Sequence, residues 1–287
     1  MHLTILGAGY SGKAIAREFI AAGYRVSGTT RSPEKAEALR ALGIAPLLLG
    51  DDGISAALSE ALSTTTHLVQ SIAPGAAGDP FLPLAEALPF ENLKWIGYLS
   101  TVGVYGNHDG AWVDEDTTCK PVSARSLERV QAEDAWTAFG AARGIPVALL
   151  RLSGIYGPGR NGFANLTAGT ARRIVKPGQV FNRIHVADIA GAALFLAQRG
   201  AAGAYNVTDS LPAPAQDVVS EAASIMGVAP PPETPFDPAT MTPMARSFYG
   251  ENKRVSNAKL TGEGYRFRFP DYHQALAALW ADGSWRG

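Results

Sequence analysis

The chain has 287 residues, with 25 lysines and arginines against 26 aspartates and glutamates, a formal net charge of −1 at pH 7. Hydrophobic residues make up 46% and charged residues 18%, enough apolar material for a core but no global pull towards phosphate backbones or anionic lipid. Nucleic-acid binding and membrane association are therefore disfavoured. The single cysteine, Cys119, excludes an internal disulfide framework, and no apolar run approaches the roughly 18–20 residues that span a bilayer. No basic segment or signal-type apolar core precedes the first glycines, so the expected location is the cytoplasm.

Short apolar runs alternate with helical patterns from the start. Strands are predicted at Leu3–Leu6, Arg25–Thr30, Pro46–Leu49, His67–Ile72, Lys94–Ser100, Val147–Arg151 and Ala204–Val207. Between them, helices are predicted at Ser11–Ala22, Pro33–Leu42, Val122–Ala142 and Val186–Arg199. Strands apolar on both faces and separated by helices imply a parallel sheet between two helical layers. The expected fold class is α/β, a doubly wound parallel sheet (Rossmann fold) with a small C-terminal substrate lobe. Residues 1–159 and 185–209 are assigned to a dinucleotide-binding domain, and 160–184 and 210–287 to the substrate-binding lobe. Within the latter, the proline-dense stretch Val228–Pro243 reads as a surface loop.

Gly7-Ala8-Gly9-Tyr10-Ser11-Gly12 directly follows the first strand and opens the first helix. Spacing alone is a weak signal; the strand–turn–helix context makes it specific for a dinucleotide pyrophosphate. Gly7 permits the tight turn, Gly9 the close approach of backbone to phosphate, and Gly12 the packing of helix on strand. Tyr10 and Ser11 then supply amides at the helix N-terminus, where anions are favoured. A site for NAD usually carries an acid about 20 residues past the glycines. No acid occurs between Val26 and Pro33; Thr30-Arg31-Ser32 stand there instead. A guanidinium flanked by hydroxyls suits a 2′-phosphate, which favours NADP over NAD, although Arg31 as an ordinary surface charge is the alternative. Asp51 is a candidate for the adenine edge, with a helix cap at Asp52 as the competing reading.

Three further segments, with the glycine loop, resemble the extended short-chain dehydrogenase/reductases of the epimerase/dehydratase type: Leu99-Ser100-Thr101-Val102-Gly103-Val104-Tyr105-Gly106, Leu150–Gly159 with Ile155-Tyr156-Gly157-Pro158, and Arg183-Ile184-His185-Val186-Ala187-Asp188 completed by Tyr205-Asn206-Val207. The resemblance covers about residues 1–210, and Asn252–Leu260 is similar to the family's substrate-lobe ending. It implies that Thr101 hydrogen-bonds the reacting oxygen. It also implies that His185 and Asp188 tie loops together, and that Arg183, Lys253 and Arg254 occupy positions able to face an anionic substrate. As a metal site, His185-x-x-Asp188 offers only two ligands, too few. In the family the helix 122–142 often forms a two-helix dimer contact, which leaves a homodimer open.

The sequence departs from the family at the catalytic Tyr-x-x-x-Lys. No tyrosine occurs from 107 to 145; alignment on Ala132-Glu133 puts Arg125 in the tyrosine's place and Arg129 in the lysine's. Arginine stays protonated and cannot cycle a proton near neutral pH, although Arg129 retains a positive field for ribose hydroxyls. Tyr105 and Tyr156 are the candidate substitutes. The resulting expectation is an NADP-binding reductase or isomerase acting on a small polar or anionic molecule. A non-catalytic NADP-binding sensor is the alternative.

Overall fold

The computed structural model describes residues 1–49, 55–86, 88 and 90–287. Its elements run β1 (His2–Leu6), α1 (Tyr10–Ala21), β2 (Arg25–Thr30), α2 (Pro33–Arg40), β3 (Ala45–Leu48), α3 (Ala56–Ser63), β4 (His67–Gln70), α4 (Leu82–Glu86) and β5 (Trp95–Thr101). They continue with β6 (Trp112–Val113), α5 (Ala124–Arg143), β7 (Val147–Leu152), β8 (Gly154–Tyr156), α6 (Gly162–Thr167), β9 (Arg173–Val175), β10 (Arg183–His185), α7 (Val186–Arg199) and β11 (Gly203–Val207). The last are α8 (Ala215–Met226), β12 (Glu233–Pro235), α9 (Pro243–Tyr249), β13 (Arg254–Val255), α10 (Ala258–Gly262) and α11 (Tyr272–Ala281).

All five residues of β1 and all four of β4 are buried, which is what a strand covered on both faces requires. Seven strands form one sheet in the order β11-β7-β5-β4-β1-β2-β3. β1 pairs in parallel with β2 on one side and β4 on the other, and the pairs β2–β3 and β4–β5 are also parallel. The strand order thus reverses at β1/β4. In open α/β sheets ligands bind outside the strand carboxyl ends at such a reversal. The doubly wound α/β fold expected from the sequence is therefore the observed one. No helix among the described residues is long and apolar enough to cross a membrane.

The chain divides into two compact units. The first comprises Met1–Thr101, Ala124–Arg151 and Ile189–Tyr205. Its core gathers Leu6, Leu58, Leu68, Phe81, Ile96, Tyr98 and Trp136, and it carries a buried ion pair in which Arg151 Nη2 meets Glu133 Oε2 at 2.8 Å. The second comprises Val102–Ser123, Leu152–Asp188 and Asn206–Gly287. Residues 102–123 and 152–159 thus group with the second unit, where the sequence placed them in the dinucleotide domain.

The second unit packs Phe163, Tyr272, Leu276, Leu279 and Trp285 together and is stitched by asparagines. Asn206 accepts from the Tyr105 hydroxyl at 2.7 Å and donates to the Ser256 carbonyl. Asn182 bonds the backbone of Lys253 and Val255, and Asn161 donates to the carbonyls of Gly157 and Trp285. The segment read as a proline-rich loop contains β12, paired in parallel with β9 in a two-stranded ribbon. Proline is excluded from central strands because it cannot donate, but a ribbon edge tolerates it. The Arg173–Glu233 ion pair at 2.5 Å closes the register.

Gly106 is the tightest backbone position in the second unit. It has φ +73°, and a Cβ there would lie 1.9 Å from the Lys120 carbonyl oxygen, backbone that cannot rotate aside. Left-handed strain and overpacking each cost about 1–3 kcal/mol, so Gly106→Ala is expected to destabilise the protein by roughly 3 kcal/mol or more. Urea unfolding of the variant beside Gly203→Ala, whose Cβ would meet nothing within 4 Å, checks this. A similar loss in both would mean that positive φ, rather than the clash with Lys120, dominates.

Candidate functional site

The glycine loop joins β1 to α1. Gly7 has φ +84°, and a Cβ there would sit 2.8 Å from Ile72 Cγ1. Its amide donates to Thr29 Oγ1 at 2.7 Å, and the Ala8 amide donates to the Thr29 carbonyl. The turn is thus held from β2 while the chain beyond β4 packs against it. Gly12 is needed for close packing, since a Cβ would meet the Gly7 carbonyl oxygen at 2.9 Å and Ile5 at 3.2 Å. Gly9 differs: a Cβ there would meet nothing within 4 Å, so open space lies over the middle of the loop. Gly9 also forms the N-cap of α1, where no side chain caps the helix and no acid stands in its first turn. Tyr10 is exposed and Ser11 half-buried at this end. Open space over an uncapped, acid-free helix N-terminus fits an anion such as a pyrophosphate.

At the end of β2, Arg31 is exposed and Thr30 and Ser32 are half-buried. The Ser32 amide donates to Thr30 Oγ1 at 3.3 Å. Ser32 Oγ caps α2, accepting from the Lys35 amide, and donates to Glu34 Oε2 at 2.5 Å. That bond holds the exposed Glu34 carboxyl below its usual range. Of the three side chains expected at a 2′-phosphate, Arg31 faces solvent while the two hydroxyls serve the turn. Asp51 lies outside the described residues.

Thr101 ends β5 and is half-buried. The three residues before it are gripped by α5. Arg129 Nη1 donates to the Leu99 carbonyl at 2.5 Å and to the Tyr98 hydroxyl at 3.3 Å. Ser100 Oγ donates to Glu133 Oε1 at 2.5 Å, and Glu133 is in turn paired with Arg151. Arg129, expected from sequence at the ribose, is therefore engaged with the strand. Arg125, one turn earlier on α5, is exposed.

The tyrosines differ in their surroundings. Tyr105 is fully buried, and its hydroxyl donates to Asn206 Oδ1. Tyr156 packs edge-on against His185 at 5.4 Å between ring centres, and burial pushes its hydroxyl far above the ordinary tyrosine range. Tyr98 is pushed up to about 12, burial outweighing the opposing pull of Arg129.

The second unit commits its other candidate cations too. Arg183 donates to the carbonyls of Phe181 and Ala213, Lys253 to the Gly106 carbonyl and Glu251, and Arg254 to the Gly110 carbonyl. They brace loops rather than stand ready for an anion. Asp188 accepts from the amides of Arg268 and Phe269 and from the Tyr265 hydroxyl, the tying role that the resemblance implied. No group of three or more metal-ligating side chains occurs among the described residues.

Sequence reasoning passed over Gln70, Asp79 and Thr29, which support the glycine loop. The available signals were slight: a polar residue closing the apolar strand His67-Leu68-Val69-Gln70, and Asp79-Pro80 ahead of a helix.

Comparison with known proteins agrees with this geometry. Residues 81–208 match the NAD dependent epimerase/dehydratase family, and residues 2–77 match the family described as NADP oxidoreductase, coenzyme F420-dependent. Protein YeeZ of Escherichia coli K12 is 28% identical over 291 residues, covering 94% of this chain and 96% of YeeZ. A functionally unknown conserved protein from Silicibacter pomeroyi is 46% identical, with a TM-score of 0.89 over 98% of both chains. A protein from Methylobacillus flagellatus, proposed as an NAD-dependent epimerase/dehydratase, is 26% identical with a TM-score of 0.72, again over 98% of both. With the Rossmann sheet and the glycine turn in place, the chain shares the fold of these proteins, and its residues 81–208 match the NAD-dependent epimerase/dehydratase family.

Proposed function

We propose that the chain binds NADP(H) at the glycine loop of its first unit and acts as a reductase or isomerase on a small polar or anionic molecule. The observation that carries the binding is the loop itself: Gly7 and Gly12 are sterically required, Gly9 is open above, and α1 begins without a cap or an acid. Arg31, standing where NAD sites carry a carboxylate, would meet the 2′-phosphate. When bound, the nicotinamide supplies hydride transfer. The chain's own contribution is to hold and orient: Thr101 offers a hydroxyl to a reacting oxygen, and the Arg125 guanidinium can pair with a carboxylate or phosphate through two parallel bonds.

A second reading, a dinucleotide-responsive module without turnover, is favoured by the state of the tyrosines. Tyr98 and Tyr156 have raised pKa values, so neither exchanges a proton readily at neutral pH, and Tyr105 is buried with its hydroxyl bonded to Asn206. General acid–base help is worth typically 10²–10⁴-fold. On this basis no measurable epimerase or dehydrogenase activity is expected on common nucleotide sugars. Any NADPH oxidation should instead require an anionic carbonyl substrate. A spectrophotometric panel of keto acids decides: turnover abolished by Arg125→Leu supports the enzyme, and no turnover with intact cofactor binding supports the module.

Cofactor choice gives a sharper test by calorimetric titration. NADPH should bind more tightly than NADH. Arg31→Asp should reverse the order, by roughly 1–3 kcal/mol for a charge-assisted hydrogen bond to the 2′-phosphate. Glu34→Gln, which removes the carboxylate now holding Ser32, should tighten NADPH several-fold and leave NADH unchanged. Equal affinities of the wild-type protein for the two cofactors would refute the assignment of Arg31.

A further inference from the structure

The first unit contains a buried polar relay that none of the proposed binding contacts uses. Asp79 is buried, and its carboxylate gathers four donor groups. Oδ1 accepts from the Phe81 and Leu82 amides at 2.9 and 3.1 Å, Oδ2 accepts from Trp136 Nε1 at 3.0 Å, and Gln70 Nε2 lies 2.9 Å from both oxygens. The amides belong to the first residue of α4 and the residue before it, so the carboxylate fixes the entry to that helix, and the indole anchors it to α5. Gln70, the last residue of β4, is completely buried. With its amide nitrogen fixed on Asp79, its Oε1 is left to accept the Ile72 amide at 3.0 Å.

This places the Ile72 segment. β4 lies beside β1 in the sheet, and the Ser71 amide donates to the Leu6 carbonyl at 2.9 Å. The next residue, Ile72, then sits directly behind Gly7: a Cβ on Gly7 would be 2.8 Å from Ile72 Cγ1 and 3.3 Å from its nitrogen. Gly7 is therefore confined between Thr29 of β2 and Ile72 after β4. A side-chain amide is a suitable link because it donates and accepts at once, and because a buried amide with one end unpaired would cost about 1–3 kcal/mol.

We infer that Gln70, oriented by Asp79, is a positioning residue of the dinucleotide site, setting the glycine turn through Ile72 without touching the ligand. The inference rests on the proposed binding of NADP(H) at that loop. It predicts a split between the two ends of the ligand: the pyrophosphate lies at the Gly7 turn, whereas the 2′-phosphate meets Arg31, which the relay does not reach.

The test compares NADPH with adenosine 2′-monophosphate by calorimetry in the intact chain. Gln70→Met should lower NADPH affinity about tenfold and change adenosine 2′-monophosphate affinity less than twofold. Ile72→Ala, which leaves the Gln70–Asp79 pair in place, should give the same split and serves if Gln70→Met does not fold. Trp136→Phe removes one bond to Asp79 but not the Gln70 link, so it should lower the melting temperature while keeping NADPH affinity within twofold. Wild-type NADPH affinity retained in Ile72→Ala, or both ligands weakened equally, would overturn the inference. A wild-type protein that binds neither NADPH nor NADH would overturn the binding proposal instead. In that event hydrogen exchange in nucleotide-free protein still decides the relay: Gln70→Met, or Ile72→Ala in its place, should speed exchange of the Ala8 and Gly9 amides but not of β3, and unchanged exchange at Ala8 and Gly9 would sink it.

Discussion

The buried carboxylate of Glu133 is the constraint on which the reactive end of the first unit depends. It receives Ser100 from β5 and the Arg151 fork from β7, while its own helix supplies the backbone. Taking a carboxylate and a guanidinium out of water costs several kcal/mol per ion, repaid only by close geometry and further hydrogen bonds. Here the hydroxyl of Ser100 provides the additional bond. Such a pair is weak evidence of net stability, but removing one partner typically costs about 3–5 kcal/mol. It therefore locks three elements into one arrangement more than it stabilises them.

That lock extends along one face of α5. Residues four apart share a helix face, so Arg125, Arg129 and Glu133 form a single column. Glu133 takes Ser100, and Arg129 takes the Leu99 carbonyl and the Tyr98 hydroxyl. The helix thus grips three consecutive residues of β5, and the strand ends at Thr101 one residue later. Two of the column's three residues are thus spent on the strand. Arg125, at the start of the column, stays exposed.

How much of this was legible depended on whether a function is local in the chain. The parallel strands and the glycine turn read directly, because β1 is apolar on both faces and the loop's geometry is set by three glycines within six residues. The absence of an acid between Val26 and Pro33 was equally plain. Partnerships over long sequence separations were not. Nothing local tells that Gln70 meets Asp79 and through it Trp136, or that Arg129 is engaged by a carbonyl 30 residues away. The surroundings of the candidate tyrosines were illegible for a related reason: Tyr105 follows a recognisable motif, but its burial and its bond to Asn206, 101 positions away, are properties of the fold. β12 was missed because prolines crowd the chain on either side of Glu233–Pro235, while a two-stranded ribbon asks little of the backbone donors that proline lacks.

The two ends of the candidate site therefore answer to different physics. At the phosphate end, binding rests on backbone amides and steric room, which survive any change on α5. At the reactive end, a proton must come from a group that exchanges it near neutral pH. A buried tyrosine is a poor source because ionising it leaves a charge in a low-dielectric surrounding, and the raised values at Tyr98 and Tyr156 express that penalty. Arginine does not release its proton at all, and a threonine hydroxyl relays a proton without supplying one. Under the proposed enzyme reading, the proton must then arrive with the substrate or from water. A ligand held by a guanidinium would carry a carboxyl or phosphate group, and a phosphate monoester, with a second pKa near about 6, is itself an exchangeable acid at neutral pH.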